Sequence, residues 1–355
     1  MDSRERTFLA LNFEEPDRVP SDLWTSSGFE RKLAAELRLT KQQLLDRYDI
    51  DLRYIPGPTF IGPPLATFAD GDDEDIWGVR RQPVHIETGG GSEDYREVAC
   101  SPLAGATSVD AIEAYDHWPC ADWFDYSDIE SQCDAIRDDG RVVVFMGDRL
   151  NRLAQLKPAM YMRGVEQIFV DMVDSPEIVH AIFRRIRSFY LEYARRIFEA
   201  AAGKLDIVLT GDDFGSQNGP LLSPAMWIEY LQEGFSAYTG LARSSGCRVM
   251  HHTCGSVRPL IPLMVEGGLD VLQSLQPEAA DMAPATLKAE FGDRERSGPA
   301  RGLRRIRRLS ARQIVEFGLR RYQEAVVRST ISSIIMSMAA ATAGSRPSSS
   351  GSAAS

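Results

Sequence analysis

The stretch RVMHHTCGS, residues 248–256, closes an apolar run with two histidines, a cysteine and a glycine. In extended chain, positions i and i+2 face the same way, so His252 and Cys254 project together and His251 projects oppositely. An imidazole beside a thiolate is a good donor pair for zinc, and zinc in turn lowers the pKa of a bound thiol or water. Two donors do not make a site, and the plain alternative for this motif is a small buried cysteine next to a hydrogen-bonded histidine. A second candidate is VLTGDDFGSQNG, where Asp212 and Asp213 follow the apolar Ile207, Val208 and Leu209. Carboxylates at the end of a strand suit a general base or a metal ligand, although Asp and Gly are also ordinary turn residues. Arg163 in YMRGVEQ could reach a substrate carboxylate, although an exposed arginine at a helix start is the commoner case. His180 and Trp77 read as packing residues, and His85 and His117 have no readable partner.

These residues need elements to carry them. Six segments read as short strands ending in polar or glycine-rich turns: 18–24, 49–57, 141–148, 205–213, 247–255 and 269–277. Between the later ones lie helical patterns. Residues 175–201 open on Ser175 and Pro176 and carry Ile178, Ile182, Ile186, Tyr190 and Tyr193 on one stripe. Residues 223–246 open on Ser223 and Pro224 and close on a glycine. Helices alternating with apolar strands predict a parallel sheet covered on its faces, and six such strands fit a (β/α)8 barrel better than a short open sheet. In that architecture function gathers at the C-terminal strand ends, where both candidate motifs fall. Residues 57–135 read as an irregular insertion with a small antiparallel sheet.

The chain has 355 residues and a net charge of −11. Its last part differs in character. Residues 294–355 hold 12 Arg and 3 Glu with no Lys, Asp or His, a local charge of +9 that leaves residues 1–293 at −20. So acidic a body repels nucleic-acid phosphates and argues against a nucleic-acid partner. Five cysteines form no CxxC pair, which fits a reducing compartment. The charged opening MDSRERTFLALNFEEPDR and the lack of a long apolar run set a cytoplasmic location without a membrane span as the expectation.

Taken in order, SRERTFLALNFEEPDRVPSDLW, DIWGV, SPLAGATSVDAIEAYDHWP, YMRGVEQIFVDMVDSPE, TGDDFGSQNGPLLSPAMW and MHHTCGSVRPLIPLMVEGGLDVLQSLQPEAADMAPATLKAEFGD resemble the uroporphyrinogen decarboxylase superfamily across residues 3–293. The resemblance implies a (β/α)8 TIM barrel acting on a small molecule at its C-terminal mouth. Decarboxylases of the superfamily are lyases of porphyrin biosynthesis that need no cofactor. They use paired arginines in an RQAGR-type loop and an aspartate at the end of the second strand. Here those places read LWTSSGFER and RYIPGP, with neither feature. Tyr161 corresponds to a family active-site tyrosine.

The other branch consists of zinc-dependent methyltransferases that move a methyl group between a corrinoid or methylated substrate and a thiol. They carry HxC followed by a distant cysteine. His252 and Cys254 match the first two positions as metal ligands, which implies zinc as cofactor and a corrinoid protein as partner. No cysteine follows Cys254. Asp212 and Asp213 take proton-handling or substrate roles in this reading. Beyond residue 293 the family continues with a GGID-like and a GGGY strand that this chain lacks. An excess of Arg, Ser and Ala is what a GC-rich gene yields when read out of frame, so a frameshift near Arg294 is the expectation for 294–355. A barrel short of two strands exposes edges and an apolar interior, which the tail or a second copy in a homodimer must cover. If the tail is authentic, a non-catalytic remnant or binding protein becomes the alternative.

Overall fold

Apolar runs in the order VVVF, IVLTG and RVMHH put β-branched and long side chains on both faces of each strand, which suits a sheet buried on two sides. The computed structural model describes residues 1–25, 27–88, 91–147, 152–273 and 275–291. The chain begins with helices α1 (Ser3–Leu11), α2 (Ser27–Leu37) and α3 (Lys41–Arg47) before β1 (Leu52–Tyr54). A hairpin-rich section follows: β2 (Thr59–Phe60), β3 (Asp73–Glu74), β4 (Arg80–Thr88), β5 (Gly91–Cys100), α4 (Val109–Glu113) and β6 (Phe124–Asp125). Then come α5 (Ile129–Asp138), β7 (Val142–Phe145), α6 (Leu156–Arg163), α7 (Val165–Asp174), α8 (Pro176–Ala200) and β8 (Ile207–Gly211). The described chain ends with α9 (Pro224–Tyr230), α10 (Gln232–Ser244), β9 (Arg248–His252), α11 (Ile261–Glu266), β10 (Val271–Gln273) and α12 (Pro284–Phe291).

The central sheet runs β1-β7-β8-β9-β10, every neighbour parallel and every strand beside its predecessor in this series. Strand alternation divides its two faces. Val143, Phe145, Val208 and Val249 join the large core under the helices. Leu52, Val142, Val144, Ile207, Leu209 and Met250 form a second apolar cluster on the other face, with Leu11 of α1 packed against it. The stripe expected on α8 is buried in full, from Ile178 to Tyr193. Trp77 is 1% exposed and packs its ring against Phe189 and Tyr190 of that helix.

Three expectations change. The segment 18–24 is not a strand: Ser21 O accepts from Asp51 N and Leu52 N, while Asp51 Oδ2 takes Ser21 N, so a side chain replaces ladder pairing beside β1. Ser175 makes no capping hydrogen bond at α8, and 223–246 is two helices, broken at Leu231. Among the described residues the parallel sheet has five strands with β1 and β10 at its edges, one fewer than the six strand candidates because 18–24 is not among them. The antiparallel sheet expected within 57–135 is β3-β4-β5. The tail 294–355, Asp148 of the 141–148 segment and Ser274 of the 269–277 segment lie outside the described residues.

Candidate metal centre

Strand β9 ends at His252, and the chain turns at Gly255 with φ +77°. Strand β8 ends at Gly211, and the following DDFG segment turns toward the same place. The two turns touch backbone to backbone. Ser256 N donates to Ser216 O at 2.7 Å, Phe214 N donates to Thr253 Oγ1 at 2.9 Å, and Cys254 N donates to Asp213 Oδ1 at 3.1 Å. This docking brings a carboxylate to the histidine–cysteine pair.

The result is a three-donor cluster. His252 Nε2 lies 3.6 Å from Cys254 Sγ and 3.6 Å from Asp213 Oδ1. One donor atom from each of Asp213, His252 and Cys254 falls within 4.8 Å of the others. Two ligands at zinc bond lengths of about 2.0–2.3 Å and a tetrahedral angle sit roughly 3.3–3.8 Å apart, so the two spacings about His252 Nε2 suit one zinc ion. On the far side of His252, Nδ1 lies 2.7 Å from Gln273 Oε1 at the end of β10. The Trp24 ring meets the imidazole edge-on at 4.9 Å, and the Arg152 guanidinium lies 4.8 Å above the Trp24 ring. Trp24 is delivered by the segment tied to β1 through Asp51.

Electrostatics follow from burial. Burial pushes the Cys254 thiol up to about 12, with the neighbouring Asp213 charge adding to the effect. Burial also lowers His252 to about 4, so its imidazole is neutral at pH 7. Burial alone would raise Asp213, yet the Lys157 ammonium, 2.5 Å away, holds its carboxyl below the usual carboxylate range. The cluster thus presents a neutral imidazole, an ionised carboxylate and a thiol that stays protonated at pH 7 unless a cation displaces the proton.

The remaining candidates have other work. Asp212 is 2% exposed and faces away from the cluster's donors, accepting from Gln155 N at 2.6 Å, Leu156 N at 2.9 Å and Lys157 N at 2.7 Å. It caps α6 and satisfies three N–H groups the helix cannot pair internally, a structural duty that occupies both oxygens. Burial pushes this carboxyl up to about 6. Arg163 pairs with Asp171 at 2.7 Å inside the core and donates to the carbonyls of Leu103, Ala104 and Ala106, which pins the 103–106 turn to α6. Tyr161 lies with its ring 4.5 Å beneath the Arg81 guanidinium. His251 projects opposite to His252, hydrogen-bonded to Thr210 Oγ1 at 2.8 Å and stacked on Phe214. His180 stacks on Tyr230. Lys157, Gln273 and Trp24 escaped the sequence reading. Only Gln273, a polar residue at a strand end, carried a usable signal.

Residues 154–286 match the profile of the family described as Uroporphyrinogen decarboxylase (URO-D). No match was found among curated protein sequences. Among solved structures the chain is similar to a methyltransferase from Methanosarcina mazei at 14% identity and a TM-score of 0.49, covering 81% of this chain and 80% of that one. The matched span contains Lys157, Asp213, His252, Cys254 and Gln273, so the similarity to that family takes in every residue of the cluster and its two polar partners.

Proposed function

We propose that the protein is a methyltransferase-like member of the superfamily, with zinc held by Asp213, His252 and Cys254 and a thiol as methyl acceptor. The convergence of these three donors within 4.8 Å, with two of their spacings at 3.6 Å, carries the reading. Asp213 stands in for the distant cysteine of the resembling enzymes. Cys254 as thiolate and Asp213 as carboxylate balance a divalent ion, and three protein donors leave a fourth position for substrate. Zinc, when bound, supplies Lewis acidity that keeps an incoming thiol ionised near neutral pH. The protein's own groups do the rest: Lys157 fixes the Asp213 carboxylate, and Trp24 walls the His252 side of the pocket against water.

The wider picture belongs to the same proposal. The five parallel strands are read as part of a (β/α)8 barrel that this chain leaves incomplete, since its last two strands are not recognisable in the sequence after Asp293, and a corrinoid protein is read as the methyl donor. Metal analysis of the purified protein tests the function most directly. One zinc per chain, lost in Cys254→Ala, is the expected result. Metal-free protein that decarboxylates uroporphyrinogen would replace this reading with the lyase one.

A further inference from the structure

His252 has two ring nitrogens, and only one of them faces the cluster. Its Nε2 points at Cys254 Sγ and Asp213 Oδ1, each 3.6 Å away, while its Nδ1 lies 2.7 Å from Gln273 Oε1. A carboxamide oxygen has lone pairs and no proton, so it bonds only to a ring nitrogen that carries hydrogen. A neutral imidazole has one such nitrogen. If Nδ1 donates to Gln273, then Nε2 must hold the free lone pair, which is the form a metal requires.

We propose that Gln273 is a positioning residue that locks His252 in this tautomer and so aims the Nε2 lone pair into the cluster. The proposal rests on the metal reading above only for its purpose, not for its geometry. The fold supports it at three points. Parallel pairing sets Gln273 directly beside His252 in the β9–β10 register, so both side chains leave the sheet on one face. Thr253 N donates to Gln273 O at 3.4 Å, which carries the pairing past the end of β9. The Trp24 ring, edge-on to the imidazole at an interplanar angle of 78°, restrains the ring's tilt. The amide chooses the nitrogen, and the tryptophan fixes the plane.

The choice of an amide has a reason. With a divalent ion, Cys254 and Asp213 already bring the donor set to neutrality, and a carboxylate behind His252 would add an uncompensated negative charge. Glutamine supplies the accepting oxygen without that charge. Gln273→Glu therefore keeps the tautomer, because a carboxylate also offers an accepting oxygen, whereas Gln273→Leu leaves neither tautomer favoured by an acceptor.

The test reads the ring itself in protein stripped of metal. Long-range proton–nitrogen NMR correlations of the 15N-labelled chain report which imidazole nitrogen bears hydrogen, and the His252 signal is assigned against His252→Gln. Wild type and Gln273→Glu are expected in the single Nδ1–H form, and Gln273→Leu as a mixture. Zinc affinity, measured by chelator competition, is expected to fall about 10–100-fold in Gln273→Leu and to persist in Gln273→Glu. A wild-type ring protonated on Nε2 overturns the proposal, as does a Gln273→Leu ring indistinguishable from wild type. Wild-type protein that binds no zinc defeats the metal reading, and the ring signal still decides the role of Gln273. Should Gln273→Leu fail to fold, the wild-type and Gln273→Glu spectra decide it alone.

Discussion

Gly215 and Gly255 meet backbone to backbone: a Cβ on Gly255 would lie 2.5 Å from the carbonyl carbon of Gly215, and one on Gly215 would lie 2.7 Å from Cys254 O. The clashing atoms are main chain and cannot swing aside. Gly255 also sits at φ +77°, where a side chain is strained by about 1–3 kcal/mol before any clash is counted. Gly255→Ala should therefore destabilise the fold by more than that strain and part Asp213 from Cys254. Urea unfolding with and without zinc measures both effects. An alanine variant matching wild type in midpoint and in zinc stabilisation would show that the contact does not hold the cluster.

Asp213→Asn keeps the shape and a hydrogen-bond acceptor for Cys254 N–H but removes the charge. As a lost ligand it should weaken zinc binding by more than the ~10–100-fold that an outer partner costs. Titration calorimetry against a competing chelator gives the number. Unchanged affinity would remove Asp213 from the donor set.

Arg163→Ala strands Asp171, 3% exposed, as an unpaired charge in the core. Breaking such a pair costs about 3–5 kcal/mol. Zinc content per folded molecule should not move, because the pair ties α6 to the 103–106 turn and touches none of the three donors. A variant of normal stability that loses zinc or substrate binding would restore Arg163 to the site.

Asp22 accepts from Tyr54 Oη at 2.7 Å, and burial pushes its carboxyl up to about 6 from an ordinary 3.8. A raised carboxyl pKa means the folded state holds the proton more tightly than the unfolded chain. This group's contribution is therefore most favourable below about pH 4 and is lost as pH rises toward 6. Asp22→Asn removes that loss. Relative to wild type, its stability should be level near pH 4 and higher at pH 7 by no more than about 3 kcal/mol. Melts at the two pH values give the comparison, and an equal offset at both would show that Asp22 titrates normally.

The Arg-rich segment 294–355 is expected to arise from a shift of reading frame near Arg294. Sequencing the locus should uncover a GGID-like and a GGGY-like continuation in another frame. Their absence from all frames would make the tail native and favour a binding role.

Much of this was readable beforehand because it rests on periodicity. The i, i+2 rule put His252 with Cys254 and against His251, and the helical stripe of α8 follows from 3.6-residue spacing. The segment 18–24 misled because RVPSDLW has the apolar content of a strand, while its pairing is taken over by the Asp51 carboxylate, a contact across thirty residues of chain. Asp212 and Asp213 show the limit most sharply. Adjacent in sequence and chemically identical, they part because one oxygen pair meets the α6 N–H groups and the other meets Lys157. No local pattern encodes that, since both partners come from a helix more than fifty residues upstream.

The order of the central sheet bears on how the protein is made. Each parallel strand lies beside the one synthesised before it, so β7, β8 and β9 can each add to an existing edge as they leave the ribosome. Asp213 would then wait, already pinned by Lys157, until His252 and Cys254 emerge some forty residues later. Gln273, which the proposal makes the partner of the imidazole, arrives last. On the proposed reading, a nascent chain halted before β10 would hold all three donors yet lack the residue that orients the histidine, so it should bind zinc more weakly than the finished sheet does.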